Sequence, residues 1–234
     1  MHLDRHASAL ASQPAVLGPG VGADKMLCML IRHRGRTPAV DNTAYVAPTA
    51  TLVGDIRVGP RARIMYGAVL DAEASHITVG EACVITEHAV LRATAAGDAD
   101  RPVVLGDHVF VGPHATLLGC ILDRCVYVGT GATILHGATV AAGAVVAVGA
   151  LVHARTTVPA EMFVPPHSLA IGTPARILTP DQAEQVAAAI RGANFAGVAF
   201  GVQVDWENRI TRYEQTAEVR VAEFEAHRDD EILG

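Results

Sequence analysis

The sequence predicts a mainly β fold, a left-handed parallel β-helix of hexapeptide repeats followed by C-terminal α-helices. Three observations carry that reading. An aliphatic residue recurs every sixth position from Val46 onward, and a small or β-branched residue stands four places after it. Gly and Pro are spread through the same stretch at a density that an α-helix does not tolerate.

Residues 1 to 28 mix Ala, Gly, Pro and His without a period, and a natural-looking start, Met29-Leu30-Ile31-Arg32, follows them. This segment is expected to be disordered or an extension upstream of the true start. The β-helix is expected over 29–178. Its phase is clear in Val46-Ala47-Pro48-Thr49-Ala50-Thr51, then Leu52 to Arg57, Val58 to Arg63 and Ile64 to Val69. It returns at Val79 to Val84, Ile85 to Val90, Leu105 to Phe110, Val111 to Thr116 and from Val128 to Val145, so at least ten hexads fit. Each hexad is one short strand and a turn, and three make a triangular coil whose first and fifth side chains point inward. Two interruptions, Asp71 to Ile77 and the polar run Ala93 to Arg101, fall at the same corner. They are read as loops leaving the stack, the usual place for a solenoid's binding surface.

Residues 179–234 are read as helices packing on the β-helix or on a neighbouring subunit. Thr179-Pro180-Asp181-Gln182 forms a capping box with Pro at the first helical position, so a helix starts there and runs to about Arg191. Gly192 to Gln203 reads as a connector, and a longer helix begins near Asp205. On it Trp206, Ile210, Tyr213, Ala217, Val221 and Phe224 follow the three-and-four spacing of a packing stripe.

Of the 234 residues 50% are hydrophobic and only 4% aromatic, which suits an aliphatic core of small side chains. A formal charge of −6 without a Lys/Arg cluster gives no footprint for nucleic acid or an anionic membrane. No secretory signal and no membrane-length apolar run is present, so the expected location is cytoplasmic. Cys28, Cys83, Cys120 and Cys125 form no CxxC pair and read as reduced packing residues.

The stretch from Val46 to Leu178 resembles the γ-class carbonic anhydrases and their hexapeptide-repeat relatives, which include acyltransferases. The matches are Leu52-Val53-Gly54-Asp55, Gly67-Ala68-Val69-Leu70, Val111-Gly112 through Gly119-Cys120, and Gly172-Thr173-Pro174-Ala175-Arg176. The resemblance implies a homotrimer with functional clefts between subunits and a catalytic zinc held by three histidines. Where the family reads N-I-Q-D-G-V-V-V-H, this chain has Val84 to Arg92, so the first zinc histidine falls on Arg92. The other two, from G-H-G-A-V-L-H-G-C, fall on Pro113 and Leu118. The family's G-A-V-L-R-G-D becomes Gly67-Ala68-Val69-Leu70-Asp71-Ala72-Glu73, its helper glutamine becomes Thr86, and only the acid at Glu87 keeps its character. Without the three ligands, conventional zinc-dependent CO2 hydration is not expected.

Asp71 and Arg92 share one position on consecutive coils and are expected to form an ion pair, either a structural staple or an anchor for substrate. Glu73 and Glu87 are then acid/base candidates. His88 and His114 share the fourth hexad position in neighbouring coils, so they are candidates for a relocated zinc site with Glu73 or Glu87 as a third ligand. His136 and His153 read as surface or interface residues. Three functions stay open. One is a non-canonical γ-carbonic-anhydrase-like protein binding or transforming a small carbonyl or carboxylate compound. Another is an acyltransferase using acyl-CoA with His114 as base, and the last is a non-catalytic scaffold.

Overall fold

The computed structural model describes residues 28–96 and 99–233. The expectation for residues 1 to 28 therefore lies outside the described residues, Cys28 apart. The chain winds into a parallel β-solenoid with three faces, one of ten strands and two of seven. We number the faces in the order in which the chain meets them. The first holds the strands from Met29–Arg32 to Leu169–Ile171, the second those from Ala39–Val40 to Thr157–Val158, and the third those from Tyr45–Val46 to Phe163–Val164.

The hexad phase sets the core. Leu52, Leu70, Leu91, Leu117, Ile134 and Val152 occupy first positions, pair in register up the first face and are fully buried. Each such side chain contributes roughly 1.5–3 kcal/mol by leaving water. The fifth positions Ala68, Ala89, Ala115, Ala132, Ala138 and Ala144 are equally buried, where the triangle leaves room for little more than a methyl group. The fourth position is the turn residue and takes a positive φ, at Gly67, His88, His114, Gly131 and Arg155 among others. A non-Gly residue there is held against its own preference by the ladders on both sides.

Both interruptions leave the corner between the first and second faces, as expected. The second is not a plain loop: Thr94–Ala96 and Ala99–Arg101 pair antiparallel as a hairpin that projects from that corner.

After the solenoid, Thr179 N–H donates to Gln182 Oε1 at 2.9 Å, closing the predicted cap. Helix α1 spans Ala183–Gly192, α2 Phe195–Phe200 and α3 Arg209–Phe224. The expected connector thus contains α2, whose Phe195 and Phe200 cover His136 and His153. Those histidines are buried, at 6% and 3% exposure, and not surface residues. Cys83 and Cys120 are buried free thiols, whereas Cys125 is an exposed turn residue and packs nothing.

The apolar stripe of α3 faces the other way from its expected packing role. Ile210, Tyr213 and Val221 are 77%, 56% and 63% exposed, while Arg212, Thr216, Arg220 and Glu223 turn inward. The reason is the surface beneath: the helix lies over the charged end of the first face, and its own charges meet that surface. Arg212 is buried because its guanidinium donates to Val204 O at 2.5 Å and to Asn194 Oδ1 at 2.9 Å. Beyond α3, a 3-10 turn (Glu225–Asp229) leads to the strand Glu231–Leu233, which pairs antiparallel with Met29–Arg32. No helix among the described residues is long and apolar enough to cross a membrane.

Candidate functional site

The strands of the first face end at the corner from which the interruptions leave, and register stacks their last residues. Val53, Asp71, Arg92 and Leu118 form one column. Leu70 and Leu91 point into the core, so the next residue of each strand points out. The anticipated ion pair is present, with Arg92 Nη2 3.0 Å from Asp71 Oδ2.

The other Asp71 oxygen, Oδ1, accepts the backbone N–H of Glu73 at 3.0 Å. That bond holds the chain in a tight turn in which Glu73 has φ +48°. The turn aims the Glu73 side chain into the cluster. It is fully buried, and neither carboxylate oxygen has a hydrogen-bond partner. Three groups surround it beyond hydrogen-bond reach: His227 Nε2 at 3.6 Å, Arg92 Nε at 3.7 Å and Arg220 Nη2 at 3.7 Å. Burial, reinforced by the charges of Asp71 and Glu223, pushes its pKa up to about 7 against the opposing pull of Arg92 and His227.

The roof of the cluster comes from the C-terminal segment. Phe224 lies between two guanidiniums, with Arg220 4.1 Å and Arg92 5.0 Å from its ring centre. Arg220 pairs with Glu223, and Glu223 accepts from Thr94 Oγ1 at 3.2 Å. Behind Glu73, His227 stacks on His33 with ring centres 4.3 Å apart, and Asp230 bridges their Nδ1 atoms at 2.9 and 2.6 Å. Arg34 Nε donates to His33 Nε2 at 3.2 Å. That donor leaves His33 with its proton on Nδ1, so His33 donates to Asp230.

Of the candidate residues, the structure brings Asp71, Glu73 and Arg92 together at this corner. Glu87, His88 and His114 lie at the opposite end of the first-face strands, in turns between the third and first faces. His88 and His114 do stack, 5.2 Å apart and 11° from parallel, but both are exposed. Neither belongs to a group of three metal-type ligands within 4.8 Å of one another among the described residues. His33, Arg220, Glu223, His227 and Asp230 were not singled out in the sequence. The available signal was the three-and-four spacing of Arg220, Glu223 and His227, which runs from the end of α3 into the 3-10 turn that follows it.

A repeat-built β-helix with a charged, partly roofed corner defines a hexapeptide-repeat protein. No protein-family model matches the chain. The probable carbonic anhydrase of Methanocaldococcus jannaschii is 37% identical over 147 residues, which is 63% of this chain and 86% of that protein. The mitochondrial gamma carbonic anhydrase 3 of Arabidopsis thaliana is 41% identical over 112 residues, 44% of this chain and 43% of that protein. The chain thus spans less than half the length of the Arabidopsis relatives it matches. Among solved structures, a hexapeptide transferase family protein from Anaplasma phagocytophilum superposes with a TM-score of 0.47 at 24% identity, covering 83% of this chain and 98% of that one. The chain belongs to the γ-carbonic anhydrase family of hexapeptide-repeat proteins.

Proposed function

We propose that this chain is a trimeric γ-carbonic-anhydrase homologue that does not hydrate CO2 through a three-histidine zinc centre and instead holds a small carbonyl or carboxylate compound at the Asp71–Glu73–Arg92 corner. The observation that carries the reading is the ion pair of Arg92 with Asp71 on the column where the family's first zinc histidine falls. A guanidinium is a permanent cation without a lone pair to offer, and the side chains of Pro113 and Leu118 carry no donor atom, so these three residues do not fit zinc. Arg92 fits an anion better, with its side chain 32% exposed.

The third face supports self-association. Its outward side chains include Tyr45, Tyr127 and Phe163, at 40%, 46% and 57% exposure, with Phe110 stacked on Tyr127 at 5.0 Å. Exposed aromatic side chains spread along one face are the sort of surface a second copy covers.

Three measurements test the reading. Stopped-flow CO2 hydration by the zinc-supplemented protein is expected at the buffer rate, and zinc-dependent hydration above that rate sinks it. Titration with bicarbonate and with acetate is expected to show binding that Arg92→Lys weakens roughly tenfold by removing the two-pronged contact. Sedimentation is expected to show a trimer that Tyr127→Glu dissociates; a monomer in the unmodified protein overturns that part.

A further inference from the structure

We propose that Asp71, Glu73 and His227 form a divalent-cation site, with Asp230 and His33 behind them as positioning residues. The proposal goes beyond the reading above and does not rest on it.

The argument begins with proton placement. Asp230 accepts from His33 Nδ1 at 2.6 Å and from His227 Nδ1 at 2.9 Å, so each ring places its proton on the Asp230 side. With Nδ1 tied to Asp230, His227 turns Nε2 towards Glu73 Oε2 at 3.6 Å and Asp71 Oδ2 at 3.9 Å, and a metal that displaces any proton there meets its lone pair. A histidine whose far nitrogen is tied to a carboxylate while its near nitrogen faces oxygen ligands is the arrangement that metal sites use to fix tautomer and ring angle. The three ligand atoms lie within 4.8 Å of one another. Bonds of about 2.0–2.1 Å place neighbouring donors about 3.3 Å apart in a tetrahedral site, so His227 and Glu73 are already near that spacing at 3.6 Å while the Asp71 oxygen has further to move inward.

Glu73 is the independent observation. A carboxylate that is wholly buried with both oxygens unpartnered is costly unless something opposes its charge. The guanidiniums of Arg92 and Arg220 stand off at 3.7 Å and do not hydrogen-bond to it. Charge within the cluster runs the same way. The carboxyl groups of Asp71, Glu73, Glu223 and Asp230 outnumber the guanidiniums of Arg92 and Arg220 beside them, and the exposed Arg34 donates to His33. One imidazole nitrogen with two carboxylates selects zinc or cobalt over magnesium or calcium, which prefer all-oxygen sets. Asp71 Oδ2 retains a second lone pair beside its bond to Arg92.

The test is metal binding by the full chain after chelator treatment and dialysis, titrated with Zn2+ and with Co2+ and read by calorimetry and elemental analysis. Stoichiometric binding is expected, with Co2+ showing the visible bands of tetrahedral coordination. Glu73→Gln and His227→Gln are each expected to abolish those bands, and Asp230→Asn to weaken affinity roughly 10- to 100-fold through loss of ring orientation. The double variant His88→Ala/His114→Ala is expected to bind as the unmodified protein does. In the unmodified chain, Zn2+ is expected to shift the His227 Nε2 resonance, which keeps the test decisive if a variant fails to fold. Absence of binding, binding that survives His227→Gln, or binding lost only in the His88/His114 variant overturns the site. None of these readouts involves CO2 or the trimer, so failure here is distinct from failure of the proposed function.

Discussion

His33 and Asp230, 197 positions apart in the chain, are joined by a 2.6 Å hydrogen bond beneath the C-terminal segment. His33 is 1% exposed, so this bond satisfies a donor that water does not reach. Asp230→Ala leaves the Nδ1–H groups of both His33 and His227 without their acceptor. We expect a loss of about 1–3 kcal/mol in urea unfolding and faster hydrogen exchange in Glu231–Leu233 and Met29–Arg32. Unchanged exchange in both strands would count against a tie of this kind.

Glu73→Gln acts in the opposite sense in metal-free buffer. It removes a buried carboxyl group that makes no hydrogen bond and whose ionisation is opposed by burial, Asp71 and Glu223 more than Arg92 and His227 favour it. The expected result is a stability gain of roughly 1 kcal/mol at neutral pH, read as a higher melting temperature. A loss of stability would mean that Arg92 and Arg220 support the carboxylate despite their 3.7 Å separation.

Second-position glycines serve the stacking itself. A Cβ on Gly112 meets Thr130 N at 2.7 Å, a backbone atom of the next coil that has nowhere to go. A Cβ on Gly131 meets nothing within 4 Å, although its φ is +63°. Gly131→Ala is expected to cost about 1–2 kcal/mol from backbone strain alone. Gly112→Ala is expected to cost more, by forcing two coils apart, and equal denaturation midpoints would refute the distinction.

His136 makes stability depend on pH. Burial first, then the charges of Arg101 and Arg220, lowers its pKa to about 4, and its Nδ1 has no partner. Between about 6.5 and 4 the unfolded chain binds a proton there that the folded chain does not. The His136 share of stability therefore falls as pH drops through that window, by about 3 kcal/mol, while Glu73, whose pKa is raised to about 7, contributes in the opposite sense as it protonates. His153, lowered by burial as well, adds to the same slope. His136→Phe is expected to remove that share from the dependence of the urea midpoint on pH between 4 and 6.5, leaving the shares of His153 and Glu73. An unaltered slope would remove His136 from the account.

The solenoid was legible because its rule is local and repeated: the inward residues Leu70, Leu91 and Leu117 recur with the same spacing that stacks them. Register then made the Arg92–Asp71 pair readable as well, since two residues at one hexad position on adjacent coils are neighbours by construction. The roof obeys no such rule. Whether α3 turns its apolar or its charged stripe inward depends on what lies beneath it, and Asp71 and Glu73 settle that only once the helix is docked. His33 and Asp230 meet through the antiparallel pairing of Glu231–Leu233 with Met29–Arg32, a contact between distant segments that no periodicity announces.

That pairing has a counterpart at the far end of the same face, where Arg176–Leu178 runs antiparallel to Leu169–Ile171. A stack of parallel coils offers at each end an edge ready to accept another coil of the same polarity, which is how fibres grow. On this face both edges are occupied by strands running the wrong way for a further coil. The reversal makes the rod finite in length, so each molecule is a particle that does not seed a filament along this face.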